Sequence, residues 1–200
     1  MSSTTFGRGD AVGLRAAVNN AVNKTAITDI HTHLYATDFG GLLLWGIDEL
    51  LTYHYLIAEF FRLSDMPYDQ FWALSKTQQA DVIWETLFIR NSPLSEACRG
   101  VITVLDSLGL DVSARDLNGY RAWFSAQETS AHVDRVFATA NIKCAVMTND
   151  PFDPQERPAW EAGYQPDDRF YGVLRIDPLL NGWAGSYQYL QSWGYDVEVT

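Results

Sequence analysis

Thr25-Ala26-Ile27-Thr28-Asp29-Ile30-His31-Thr32-His33 is rich in β-branched residues and alternates along its length, the pattern of a strand. Side chains two apart on a strand point to the same side, so His31 and His33 share one face at the C-terminal end. Two imidazoles so placed can converge on a divalent ion at about 2.0–2.1 Å from each nitrogen, with zinc or a similar borderline ion suited to them. Two polar residues that merely close a strand would read the same way. Asp29 and Tyr35 flank the pair.

Working outward, Asp10 is placed to cap a helix running to about Asn23, with Val12, Leu14, Ala17, Val18 and Val22 apolar. On the other side, Ile47, Leu51, His54, Ala58 and Phe61 recur at helical spacing and predict one amphipathic helix from Asp48 to Arg62, capped by Asp48. His54 falls in the middle of its apolar stripe. Helices are then expected over Tyr68 to Ser75, Thr77 to Arg90, Leu94 to Leu108, Ser113 to Gln127 and Ser130 to Asn141, punctuated by Pro93, Gly109 and Glu128-Thr129-Ser130. Ile142 to Met147 is a near-continuous apolar run of strand length, as a strand buried on both faces should be. After a Pro- and Asp-rich loop to Arg169, Phe170 to Ile176 reads as a second buried strand, closed by Asp177-Pro178, and Leu179 to Trp193 as the next helix. Strand, helices, strand, helix is the alternation of a parallel α/β fold.

Composition bounds the function. With 200 residues, 47% hydrophobic and 20% charged, the chain can bury a sizeable core, and disorder is excluded. A net charge of −11 repels phosphate backbones and acidic head groups, so no nucleic acid and no membrane surface is expected as a partner. Cys98 and Cys144 lie far apart without metal or redox spacing, which suits a reducing, cytoplasmic compartment. The opening MSSTTFGRGD has no apolar core, and no run reaches 18 apolar residues, so neither a leader nor a spanning helix is predicted.

Several single residues carry two readings. On its apolar stripe, His54 is either a hydrogen-bonded core histidine or a catalyst, and Tyr53 and Tyr55 are core or pocket wall. Arg175, at the end of a buried strand, needs a carboxylate or a bound anion, and Asp177 is the near candidate. His132 reads as a surface or capping residue, Asn149 and Asp150 as a turn, a cap or a ligand contact, and Cys144 as a small core residue.

Together the order of motifs resembles the N-terminal half of the uronate isomerase (glucuronate isomerase) family: a strand ending His31-Thr32-His33, a helix with His54-Tyr55, a long helical insertion, a strand ending in TNDP (Thr148 to Pro151) and one ending in LRID (Leu174 to Asp177). The most specific stretch is DELLTYHYLIAEFFR, Asp48 to Arg62. That family belongs to the amidohydrolase superfamily of metal-dependent (β/α)8 barrels and interconverts an aldose acid and a ketose acid, glucuronate to fructuronate or galacturonate to tagaturonate. The resemblance implies that His31 and His33 are metal ligands, His54 and Tyr55 active-site groups, and Arg175 a substrate contact. It implies a small-molecule hexuronate as substrate, a divalent metal ion such as zinc as cofactor, and a homo-oligomer at full length. A complete barrel takes about 250 residues. The expectation is therefore one incomplete barrel domain over residues 1–200, with an insertion at about 66–141 after strand 1. The remaining ligands and the carbon base would lie beyond Thr200. A metal-dependent hydrolase of the same superfamily is the alternative, and a non-enzymatic binding domain a third reading.

Overall fold

Three parallel strands lie side by side in the order β1 (Ile27–Thr32), β2 (Ile142–Met147), β3 (Phe170–Gly172). The structure, a computed structural model, describes residues 11–32, 34–43, 45–165 and 167–198. His33 and the expected cap Asp10 fall outside them. Parallel neighbours require long crossovers, and here the β1 to β2 crossover carries most of the helices, making the fold mixed α/β. In register, Ile27 stands opposite Ile142 and Thr32 opposite Met147, while Ala145 and Met147 stand opposite Phe170 and Gly172. Asn141 sets the alignment at the start of the sheet. In the left-handed conformation (φ 52°) that Asn tolerates, it donates from Nδ2 to Thr25 O at 2.7 Å, and its own carbonyl accepts from Ile27 N at 2.9 Å.

The chain forms two compact units, one of residues up to Phe39 and from Val133 onward, the other Gly40–His132. The first holds the sheet together with α1 (Ala11–Lys24), and its buried side chains include Ala145, Met147, Phe170, Phe152 and Phe39. α1 forms as predicted, yet none of its residues is buried, and Val12 is 83% exposed.

The second unit is helical: α2 (Ile47–Leu51), α3 (His54–Leu63), α4 (Tyr68–Trp72), α5 (Lys76–Trp84) with a π-helical turn over Glu85–Ile89, α6 (Glu96–Ser107) and α7 (Leu117–Ser125). α8 (Thr129–Thr139) leads from it back into the first unit. Its core gathers Ile47, Leu51, Leu56, Phe60, Phe71, Ile83 and Leu105. Helix starts are set by side chains that satisfy the free N–H groups: a capping box of Ser75 with Gln78, Ser95 accepting from Cys98 N, and Asp116 accepting from Gly119 N.

The expected helix over Asp48 to Arg62 is two helices. α2 ends at Thr52, whose Oγ1 donates to Asp48 O at 2.7 Å, and Tyr53 is extended before α3 begins. The break rotates the apolar stripe, which resumes at Leu56 and Phe60 and leaves His54 and Ala58 exposed. Asp48 does not cap. It receives Arg121 Nε at 2.8 Å and Thr77 Oγ1 at 3.0 Å, and Arg121 also reaches Asp81 at 2.7 Å, tying α2, α5 and α7 together.

Other expectations also change. Only Ala145 and Met147 of β2 are buried. β3 stops at Gly172, and Val173, Leu174 and Ile176 are exposed, because among the described residues β3 pairs with β2 alone. The expected helix over Leu179 to Trp193 is α10 (Asp177–Asn181) and α11 (Trp183–Ser192), divided at Gly182, with α9 (Arg157–Glu161) earlier in the loop after β2. His132 is no surface residue: it is 7% exposed, with Trp45 edge-on to its ring at 4.8 Å and Phe124 at 5.7 Å. The buried thiol is Cys98, whereas Cys144 is only partly covered.

Candidate active site

The C-terminal ends of parallel strands release their backbone into loops, and in parallel α/β folds that is where sites form. In the first unit, the three strand ends are joined by a buried carboxylate that belongs to none of them. Glu156, 6% exposed, lies in the loop after β2. Its Oε1 accepts from Tyr35 Oη at 3.1 Å, just past the end of β1, while its Oε2 accepts from Asn149 Nδ2 at 3.1 Å and Asp150 N at 2.8 Å, just past β2. The carbonyl of Asn149 in turn accepts from Arg175 N at 3.1 Å, past the end of β3. Asn149 is fully buried, and its Oδ1 has no hydrogen-bond donor among the described residues. Burial, reinforced by the Glu156 charge, pushes the Tyr35 hydroxyl up to about 12, so it is held as a hydrogen-bond donor.

His31 is exposed on β1, and its backbone N–H donates to Asp29 Oδ1 at 3.1 Å. His33 lies outside the described residues. Arg175 is not at the end of a buried strand but exposed beyond β3, and its Nε stands 3.9 Å from Asp177 Oδ2, too far for a hydrogen bond. An exposed contact of that length holds a guanidinium weakly and leaves it able to meet an anion. In the second unit, His54 opens α3 with its ring 4.2 Å from those of both Tyr53 and Tyr55, and Tyr55 is 60% exposed. Among the described residues no three His, Cys, Asp or Glu side chains stand together as an ion site, so these residues do not by themselves compose one.

Glu156 escaped the sequence reading because its partners are remote: Tyr35 is 121 positions away. Its one local signal is an acidic residue between two prolines, Pro154 and Pro158, in a loop that follows a strand.

Beside this network, Trp160 closes over β3. A Cβ on Gly172 would stand 2.9 Å from the Trp160 ring and 3.6 Å from Asn149 Oδ1. Gly172→Ala should therefore push the indole or the strand aside and lower stability by about 1–3 kcal/mol, read from urea melts. An unchanged midpoint would mean that the ring swings away freely.

No family model matches the chain, and no curated protein matches it. Among solved structures, it matches the crystal structure of a uronate isomerase from Bacillus halodurans C-125 with 51% sequence identity and a TM-score of 0.89. The match takes in 98% of this chain and 46% of that protein, so the chain spans a little under half of its relative's length. On that identity and that superposition, the chain is a homologue of a uronate isomerase and corresponds to its N-terminal part.

Proposed function

We propose that these residues supply the first part of the active site of a uronate isomerase, acting on a small-molecule hexuronate and interconverting glucuronate with fructuronate or galacturonate with tagaturonate. The likeness to a uronate isomerase over nearly the whole chain carries this reading. In the same reading the three parallel strands are the opening strands of a (β/α)8 barrel, and residues 1–200 are one incomplete barrel domain interrupted by helices after strand 1. The full-length protein is, in that reading, a homo-oligomer, as the resemblance implies, and cytoplasmic, which two free thiols suit.

Moving a carbonyl between adjacent carbons passes through an enediol, and needs a base at C2, an acid at the carbonyl oxygen and a clamp for the carboxylate. Arg175 is the clamp, because an exposed, weakly engaged guanidinium matches a carboxylate in a two-pronged geometry. His54 and Tyr55 hold substrate hydroxyls or carry protons, being exposed and next to one another. Neither is assigned as the carbon base.

His31 and His33 are proposed as two ligands of a divalent ion, zinc or a similar borderline metal, on their spacing and the resemblance alone. Two imidazoles fall short of the three protein ligands usual in a catalytic zinc site. Metal analysis of the full-length protein against a His31→Ala, His33→Ala double variant tests it: the variant should lose its metal, and equal metal content would sink the assignment. Assay of the full-length protein on glucuronate and galacturonate, with lactones and esters as controls, tests the function. Turnover of esters or lactones but not uronates would instead favour the superfamily's hydrolases.

A further inference from the structure

A buried carboxylate is expensive unless every oxygen is satisfied, and three donors converge on Glu156: the Tyr35 hydroxyl, the Asn149 amide and the Asp150 backbone N–H. A stabilising role alone would be met by donors from a single loop. These come from behind two different strands, and Asn149 passes the connection to a third through its carbonyl and Arg175 N. Beyond Gly172 the β2–β3 ladder has ended, and that hydrogen bond is what links the Arg175 backbone to the end of β2. The one ion pair of the Arg175 side chain among the described residues, with Asp177, is long and exposed.

We infer that Glu156 is a positioning residue: its buried carboxylate ties the ends of β1 and β2 together and, through Asn149, fixes the backbone from which Arg175 reaches the substrate. The inference rests on the isomerase reading, because it gives Arg175 the role of carboxylate clamp. It adds a residue that itself touches no substrate. Tyr35 is the outer link, and its bond to Glu156 keeps the carboxylate turned toward Asn149 and Asp150. Glu156→Gln can keep its amide oxygen on Asn149 and Asp150 and donate its NH2 to the Tyr35 hydroxyl, so the informative change is Glu156→Leu, which keeps much of the bulk and removes both acceptor oxygens, leaving the Asn149 amide and the Asp150 N–H without that partner.

The test is steady-state kinetics of the full-length protein on uronates, with Glu156→Leu, Arg175→Ala and their double variant. Glu156→Leu should raise KM about tenfold and change kcat less than about threefold, the signature of lost ground-state and transition-state binding together. In the Arg175→Ala background the same change should leave KM unaltered, because the clamp it positions is gone. A merely structural Glu156 would lower the melting temperature with KM unchanged, or raise KM by the same factor in both backgrounds, and either result overturns the inference. Should Glu156→Leu fail to fold, Tyr35→Phe decides, since it frees the outer link and keeps both inner bonds: a KM raised about threefold supports the inference and an unchanged KM overturns it. A wild-type protein without activity on any uronate would overturn the functional reading, and this inference with it. An active wild type with an unresponsive Glu156 would overturn the inference alone.

Discussion

Replacing His54 with Gln is expected to lower kcat of the full-length enzyme about 10²- to 10⁴-fold, the range that a positioned proton-transfer group contributes. The stability change should stay within about 1 kcal/mol. Both halves of the expectation come from where α3 begins. His54 is its first residue, exposed, with its ring 4.2 Å from those of its neighbours Tyr53 and Tyr55, while the core is held by Leu56 and Phe60 on the other side of the helix. A histidine on the apolar stripe would have made the opposite prediction, a large loss of stability on substitution. Gln keeps the size and a polar end but cannot exchange a proton near neutral pH. Normal specific activity in the variant would remove His54 from the chemistry.

Phe71→Ala should cost about 3–5 kcal/mol, the usual range for emptying a buried aromatic site. Phe71 is fully buried and meets Phe60, Phe61 and Trp72 with ring centroids 5.0 to 5.2 Å apart. It is also the one buried residue of α4, a helix of five residues that is too short to hold itself together. Gln79 reinforces the site by donating from Nε2 to the carbonyls of Phe71 and Leu74 at 3.3 and 3.2 Å, so losing the ring also loosens the turn that those bonds close. Against a typical domain stability of about 5–15 kcal/mol, such a loss would bring the helical unit close to unfolding. Denaturant melts followed by circular dichroism would show it, and a shift worth less than about 1 kcal/mol would mean that the neighbouring rings collapse into the space.

Where a signal is local, the sequence announces it. β2 is found from Ile142 to Met147 as its apolar run indicates, and α1 follows its predicted span to within a residue or so. Failures occur where periodicity is silent. The backbone turns extended at Tyr53 and interrupts a stripe that looked continuous, and Asp48 serves the remote Arg121 instead of a helix end. His132 is buried by Trp45, which no periodicity on α8 could reveal. The strand expected over Phe170 to Ile176 is shorter because an apolar run states only that a segment wants cover. His54, Tyr55, His31 and Arg175 were visible as chemistry-bearing types in a recognisable order, whereas Glu156, whose importance lies wholly in its hydrogen bonds, was not.

The division into two units has a kinetic consequence. The helical unit is one uninterrupted stretch, Gly40–His132, whereas the sheet must join Ile27 to Ile142 across it. Closing a flexible loop of about a hundred residues costs on the order of 4 kcal/mol in chain entropy, while helices packed on near neighbours in sequence form quickly. During synthesis at about 5–20 residues per second, β1 leaves the ribosome seconds before its partner strand exists, with Ile30 and His31 open to water in the meantime. Folding of the intervening helices first would draw the two distant ends of that loop toward one another and lower the entropy left to lose. A substitution such as Phe71→Ala would then delay the pairing of strands that it does not touch, and refolding rate, followed at the sheet and at the helices separately, would register the order in which the chain is built.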